Sequence, residues 1–142
     1  MNSAAAAVPL SPRAWALLVL VTLAITAGLS AVWAGTAALT GGNASWMALV
    51  AALDSALLLR LAGHPPGRRR ALLGVLITAV TVLCSAVLVA AAKIGMVVGM
   101  KPIAALSRIS AEMVPLWLGG QIGWPDALWV GAGLVLAWLS AR

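Results

Sequence analysis

The sequence predicts an all-α fold: a polytopic transmembrane helical bundle with four spans and one more helix between spans three and four. Four long apolar runs, separated by short polar joints, predict the spans at residues 14–34, 46–62, 71–92 and 125–141. Of the 142 residues, 63% are hydrophobic and 8% are charged, whereas soluble domains carry about 25% charged residues. Because backbone groups in lipid must be hydrogen-bonded within their own segment, helices are the expected form.

The first run follows an Ala-rich arm. We expect residues 1–13 to form this arm and residues 14–142 to form a single transmembrane domain. The run has the roughly 20 residues that a helix needs to cross hydrocarbon, which is longer than the apolar core of a secretory signal. We therefore expect a retained span. In the uncharged joint that follows, Asn43 or Ser45 is a candidate N-cap of the second helix.

The second and third runs are separated by a helix-breaking and basic joint. Pro65 and Pro66 precede Arg68, Arg69 and Arg70. Since cytoplasmic loops are enriched in Lys and Arg, this joint and both termini are predicted to be cytoplasmic. We expect the three arginines to contact anionic lipid headgroups.

The tryptophans follow the same orientation. Trp and Tyr concentrate at the two membrane–water interfaces. The tryptophans predicted at the inner interface are Trp15 and Trp138, and those predicted at the outer one are Trp33, Trp46, Trp117 and Trp124.

The third span is expected to extend from residues 71–92 toward residue 100, and an amphipathic or re-entrant helix is expected at residues 103–118. About 16 residues rise only about 24 Å, which is short for a crossing. The alternative is a fifth crossing, which would place the C-terminus outside. We favour four crossings because Arg108 and Glu112 would be costly at the bilayer centre. Together with Lys93 and Lys101 they form a predicted polar group on the outer face.

The fourth span opens with Pro125 and Asp126. Proline is tolerated in the first turn of a helix, and an acid there is stabilised by the positive end of the helix dipole.

Asp54 lies near the middle of the second span. An acid at this depth costs about 2.5–3.5 kcal/mol on insertion scales, so it usually faces protein or water. Two hypotheses follow. Asp54 is either a proton- or cation-binding carboxylate, or a structural acid bonded to Ser or Thr or paired with Lys or Arg of another helix or protein.

Small and weakly polar residues recur at helical spacing. Such stripes let membrane helices approach closely and hydrogen-bond to one another. The stripe predicted to pack in the third span is Gly74, Thr78, Thr81 and Ser85, and Gly95 and Gly99 match a GxxxG spacing. Thr26 and Ser30 belong to a similar stripe in the first span.

Several function classes are excluded or disfavoured by composition. There is no Gly-rich phosphate loop, CxxC or HExxH motif. Three acids, one His and one Cys leave little for catalysis, so we expect no enzyme, no metal and no cofactor. The basic residues lie at segment ends, which favours the lipid bilayer over nucleic acid as the partner. Cys84 is expected to pack as a small apolar residue.

The function expected from these features is structural. The first hypothesis is a non-catalytic subunit or scaffold of an assembly in the bacterial cytoplasmic (inner) membrane, with another membrane protein or itself as partner. The alternative is a homo-oligomeric carrier or channel for ions or small solutes, in which Asp54 binds a proton or cation. Detergent sizing with crosslinking separates the two.

Overall fold

The computed structural model of the protein describes residues 12–108, 110 and 112–142, and every regular element in that part of the chain is an α-helix. The all-α prediction is therefore confirmed. The predicted arm lies outside the described residues, apart from Pro12 and Arg13, which open the first helix. The helices are α1 (Pro12–Thr40), α2 (Met47–Leu61), α3 (Arg68–Val98), α4 (Pro102–Arg108), α5 (Met113–Gln121) and α6 (Trp124–Ala141).

Two of these helices are long and apolar enough to cross a membrane, namely Trp15–Thr40 within α1 and all of α3. A third candidate span exists only if α5 and α6 are counted as one, although the two helices are bent by 102° at the break between them. Helix α2 has 15 residues, which rise about 22 Å against about 30 Å of hydrocarbon. The described part of the protein is thus all-helical, with two or three helices that could span a membrane, as expected of a membrane protein. The prediction of four spans with an amphipathic or re-entrant helix stays a prediction.

Helix α1 continues beyond the predicted end of the first apolar run, through Gly35 to Thr40. The added residues are mostly alanine, threonine and leucine, which a helix accommodates. The hydroxyls of Thr36 and Thr40 donate to the carbonyls of Val32 and Thr36, each at 2.9 Å, so they remain satisfied without leaving the helix.

The helix expected at residues 103–118 is in fact two short helices, α4 and α5, with a break between Arg108 and Met113. Pro115 supplies the physical reason. A proline inside a helix lacks the backbone N–H and clashes with the preceding turn, but it is tolerated in the first turn. The chain accordingly starts α5 at Met113, two residues before the proline.

Helix α3 is the centre of the bundle and packs against α1, α2, α4 and α6. Hydroxyl pairs join it to its neighbours. Two pairs join α3 to α1: the Thr81 hydroxyl lies 3.4 Å from that of Thr26, and Ser85 donates to Ser30 at 3.1 Å. One pair joins α3 to α2, where the Thr78 hydroxyl lies 2.9 Å from that of Ser55. Helix α3 ends at Gly99, whose left-handed conformation (φ 71°) closes the last turn.

The four longest helices meet at two ends of the bundle. At the first, which we call the arginine end, Arg70 at the start of α3 and Arg60 near the end of α2 donate to carbonyls at the C-terminus of α6, those of Ala141 and Ser140. At the other end, Asn43 before α2 is bonded to Asp126 at the start of α6 and to Lys93 near the end of α3. Consecutive long helices therefore run in opposite directions.

Candidate functional site

Helices α1 and α2 follow one another in sequence but pack mainly against different partners. Helix α1 lies against α3, whereas α2 lies against α6 and α3. The gap between them holds two adjoining cavities of about 430 and 470 Å³. We call this gap the α1/α2 groove, and its walls include Leu17, Val21 and Ile25 of α1 and Leu53, Leu57 and Leu61 of α2.

Asp54 is the central residue of α2 and lines both cavities of the groove. All the other side chains that line them are apolar. Within the described residues the carboxyl group of Asp54 has no hydrogen bond and no ion pair. Arg60, a cation on the same helix, donates instead to the backbone carbonyl of Ser140 on α6. The structure thus places a carboxyl group that has no partner among the described residues in an open, apolar groove.

The neighbouring Ser55 shows that Asp54 does not belong to the polar interior. The Ser55 hydroxyl is buried and bonded to the Ala52 carbonyl and to Thr78, both at 2.9 Å. Because successive residues of a helix point about 100° apart, Asp54 faces away from that contact. The described residues therefore supply no Ser or Thr partner for Asp54.

The predicted stripe of Gly74, Thr78, Thr81 and Ser85 is buried along its whole length. A Cβ atom built on Gly74 would lie 3.0 Å from the Cβ of Ala141, so the absent side chain permits the approach of α6. Each hydroxyl is bonded to its own helix and to a facing hydroxyl. The stripe fills the interior of the bundle.

The two glycines of the predicted GxxxG motif differ in their surroundings. Gly95 is buried within α3. Gly99 is exposed and forms the left-handed end of the helix, a conformation that explains the glycine without any helix partner.

The predicted polar group at Lys93, Lys101, Arg108 and Glu112 is not brought together. Lys101, Arg108 and Glu112 are exposed and form no ion pair or side-chain hydrogen bond with any described residue. Since α4 ends at Arg108 and Glu112 precedes α5, the expected i,i+4 pair does not form. Lys93 alone is engaged. It donates to the Gly41 carbonyl at 3.0 Å and to Asn43 Oδ1 at 3.1 Å.

Lys93 instead belongs to a cluster that the sequence did not reveal, formed by Asn43, Ser45, Lys93 and Asp126, which we call the Asn43 cluster. Ser45 donates to Asp126 Oδ1 at 2.6 Å, and Asn43 donates to Asp126 Oδ2 at 2.9 Å. The backbone N–H of Gly123 donates to Oδ2 at 3.0 Å. The cluster ties three sequence-distant segments together at the end of the bundle opposite the arginines.

The sequence predicts only local roles for three members of this cluster, and one of these predictions is confirmed because Asp126 lies in the first turn of α6. Asn43 and Ser45 were candidate N-caps of α2, but α2 has no side-chain cap. Between them, Ala44 adopts a left-handed conformation (φ 51°) that a residue with a side chain rarely takes. The turn lets both side chains reach Asp126. The sequence feature that pointed toward the Asn43 cluster was the presence of Asn43 and Ser45 in the otherwise uncharged first joint.

A cavity of about 270 Å³ lies beside the Asn43 cluster. Its walls are mainly apolar and include Val82, Val89 and Val130, with the rings of Trp33 and Trp117. The Trp33 indole donates to the Asn43 carbonyl at 2.9 Å, and the Lys93 ammonium lies 5.7 Å from the ring centre of Trp117. Both contacts hold the tryptophans at this end of the bundle.

At the arginine end, the three predicted lipid-contacting arginines differ. Arg68 and Arg69 are exposed. Arg70 is half-buried and donates to the carbonyls of Ala141 at 2.6 Å and His64 at 3.1 Å. Arg70 therefore holds the second joint against the end of α6, while the other two remain available to solvent or headgroups.

Cys84 does not pack inside the bundle as expected. Its side chain is exposed, because it lies one residue before the inward-facing Ser85. Among the described residues no group of three His, Cys, Asp or Glu side chains is arranged to hold a metal ion.

Comparison with protein-family models, with curated proteins and with solved structures finds no match.

Proposed function

We propose that the protein is a four-span integral protein of the bacterial cytoplasmic membrane, with both termini cytoplasmic, that serves as a non-catalytic subunit or scaffold of a membrane assembly. Helices α4 and α5 then lie at the outer interface. The α1/α2 groove is the surface through which the assembly forms.

Four crossings are supported by the way the helix ends meet. Helices α2 and α6 begin and end at the same two ends of the bundle as α1 and α3, which are long enough to span. The shortness of α2 is offset by Trp46 before it and Arg60 in its last turn, since such side chains extend to the interface.

The observation that carries the subunit role is Asp54 in the α1/α2 groove. A carboxyl group at mid-bilayer is costly without a partner, and the described residues provide none. A second polypeptide that fills the groove would bury the exposed leucines and satisfy the acid. Assembly with another protein thus resolves both features at once.

The carrier alternative is opposed by the packed interior of the chain. The polar residues that would have to line a path are at most 8% exposed and are bonded to one another, as with Thr26, Ser30 and Ser85. A conducting path would have to form between chains.

The experiment is a comparison of flux and size. Purified protein in proteoliposomes is expected to give no proton or cation flux above empty liposomes. In mildly solubilised native membranes it is expected to migrate in a complex larger than its own oligomers. Asp54→Asn should reduce the size of that complex. The control is Cys84→Ser, at an exposed position on α3 outside the α1/α2 groove, and it should leave the size of the complex unchanged. Flux that is lost with Asp54→Asn would overturn the proposal in favour of the carrier.

A further inference from the structure

We propose that the α1/α2 groove receives one transmembrane helix of a different protein, and that this helix carries a Lys or Arg side chain at mid-depth that pairs with Asp54. The inference rests on the proposed subunit role and names the chemistry of the partner. It follows from the shape of the groove, from the lone acid in it, and from the position of the protein's own cations.

The groove has the dimensions of a helix-docking seam. Along α2 it runs from Val50 to Leu61, which is about 17 Å or three turns at 1.5 Å per residue. One wall is supplied by each helix, and the cavities are open to the side. Leu53, Leu57 and Leu61 are 54–79% exposed, although they repeat at the spacing of a helix-packing face.

The charge in the groove defines what the incoming helix must carry. Asp54 is the sole polar side chain among the described residues that line the groove, so an apolar helix would cover the acid without satisfying it. A charged group inside a membrane protein is normally paired with an opposite charge. A Lys or Arg opposite Asp54 neutralises both side chains, and each of the two would be costly alone.

A second copy of this protein does not fit that requirement. The cations of the described residues lie at helix ends or in joints, and Lys93, near the end of α3, is held by Gly41 and Asn43. At the depth of Asp54 the described residues of a second copy offer no Lys or Arg, but only uncharged side chains or another Asp54. The partner is therefore a different chain.

The test uses the full-length protein in lipid nanodiscs, with a donor fluorophore on Cys84, the protein's single cysteine. The probe is a synthetic Leu/Ala helix of membrane-spanning length with one central Lys and an acceptor at one end. Its matched control carries Leu in place of Lys. We expect energy transfer to reach half-maximum at a tenfold or more lower mole fraction of the Lys helix than of the Leu helix.

Variants locate the effect. Asp54→Asn should abolish the preference for the Lys helix, and Asp54→Glu should retain most of it. In Asp54→Asn/Val80→Asp the acid is moved to an exposed position on α3 outside the groove, and the preference should not return.

Three results would overturn the inference: equal binding of the two helices, a preference that survives Asp54→Asn, or a preference restored by Val80→Asp. Self-association of the protein that depends on Asp54 would also overturn it, because a second copy would then be the occupant. These outcomes are distinct from Asp54-dependent flux, which would overturn the subunit role itself.

Discussion

Gly133 on α6 lies directly against the backbone of Ala48 on α2. A Cβ atom built on Gly133 would fall 2.8 Å from the Ala48 carbonyl oxygen and 2.9 Å from its Cβ. Ala48 and Ala52, one turn further along α2, are fully buried. The absence of one methyl group is thus what allows α2 and α6 to pack.

Gly133→Ala is therefore expected to force α2 and α6 apart. Overpacking of a well-packed site costs about 1–3 kcal/mol, and the clash here is with backbone, which cannot rotate away. The loss should appear in the free energy of unfolding, measured by titration with SDS in mixed micelles.

Gly131→Ala is the matched control for this contact. It lies on the same helix, and a Cβ built there meets no heavy atom within 4 Å. We expect this variant to be as stable as the wild type or up to about 1 kcal/mol more stable, since alanine is the better helix former. Equal effects of the two substitutions would show that α2 and α6 are not in contact at this point.

Asp126→Ala tests the Asn43 cluster. The substitution removes the acceptor of hydrogen bonds from Ser45, Asn43 and Gly123, and bonds to a charged group contribute about 1.5–3 kcal/mol. Because the cluster is partly exposed, we expect the free energy of unfolding to fall by about 2 kcal/mol.

The control for the cluster is Thr36→Ala, which removes an exposed hydroxyl that bonds only within α1. It should change the free energy of unfolding by less than about 0.5 kcal/mol. If Asp126→Ala were equally mild, the cluster would not hold the helices together.

Cys84 and Ser85 test the rotational position of α3. A nitroxide on Cys84 is expected to be mobile, because that side chain is exposed, and in the proposed membrane arrangement it should be strongly relaxed by dissolved oxygen. A nitroxide at position 85, introduced as Ser85→Cys in a Cys84→Ser background, should be immobilised, since Ser85 is fully buried. Electron paramagnetic resonance reads both, and reversed behaviour would contradict the helix orientation.

The sequence predicted those features that depend on neighbours along the chain. Apolar runs located α2, α3 and α6 closely, and the spacing of Thr78, Thr81 and Ser85 identified one face of α3. That face is the buried one. Pro115 is likewise a local signal, since a proline is tolerated only in the first turn of a helix and so requires a new helix to begin near Met113.

What the sequence did not predict depends on contacts across the fold. The Asn43 cluster joins residues 80 or more positions apart, such as Ser45 and Asp126, and no local pattern specifies that pairing. Likewise, nothing in the sequence of α1 or α2 indicates that both helices pack elsewhere and leave a groove. The position of Asp54 in the middle of the second apolar run marks it as a candidate site. Its neighbours in the groove, however, are set by how α1 and α2 pack, which the sequence alone does not show.

The proposed subunit role requires that α2, short as it is, crosses the bilayer and carries Asp54 to its middle. Single cysteines at positions 42 and 69, on either side of α2, test this in a Cys84→Ser background, with a membrane-impermeant maleimide applied to intact spheroplasts. Gly42→Cys is predicted to react at once, and Arg69→Cys only after the membrane is permeabilised. Reaction of both cysteines from the same side would show that α2 does not cross the bilayer and would contradict the proposed four-span arrangement.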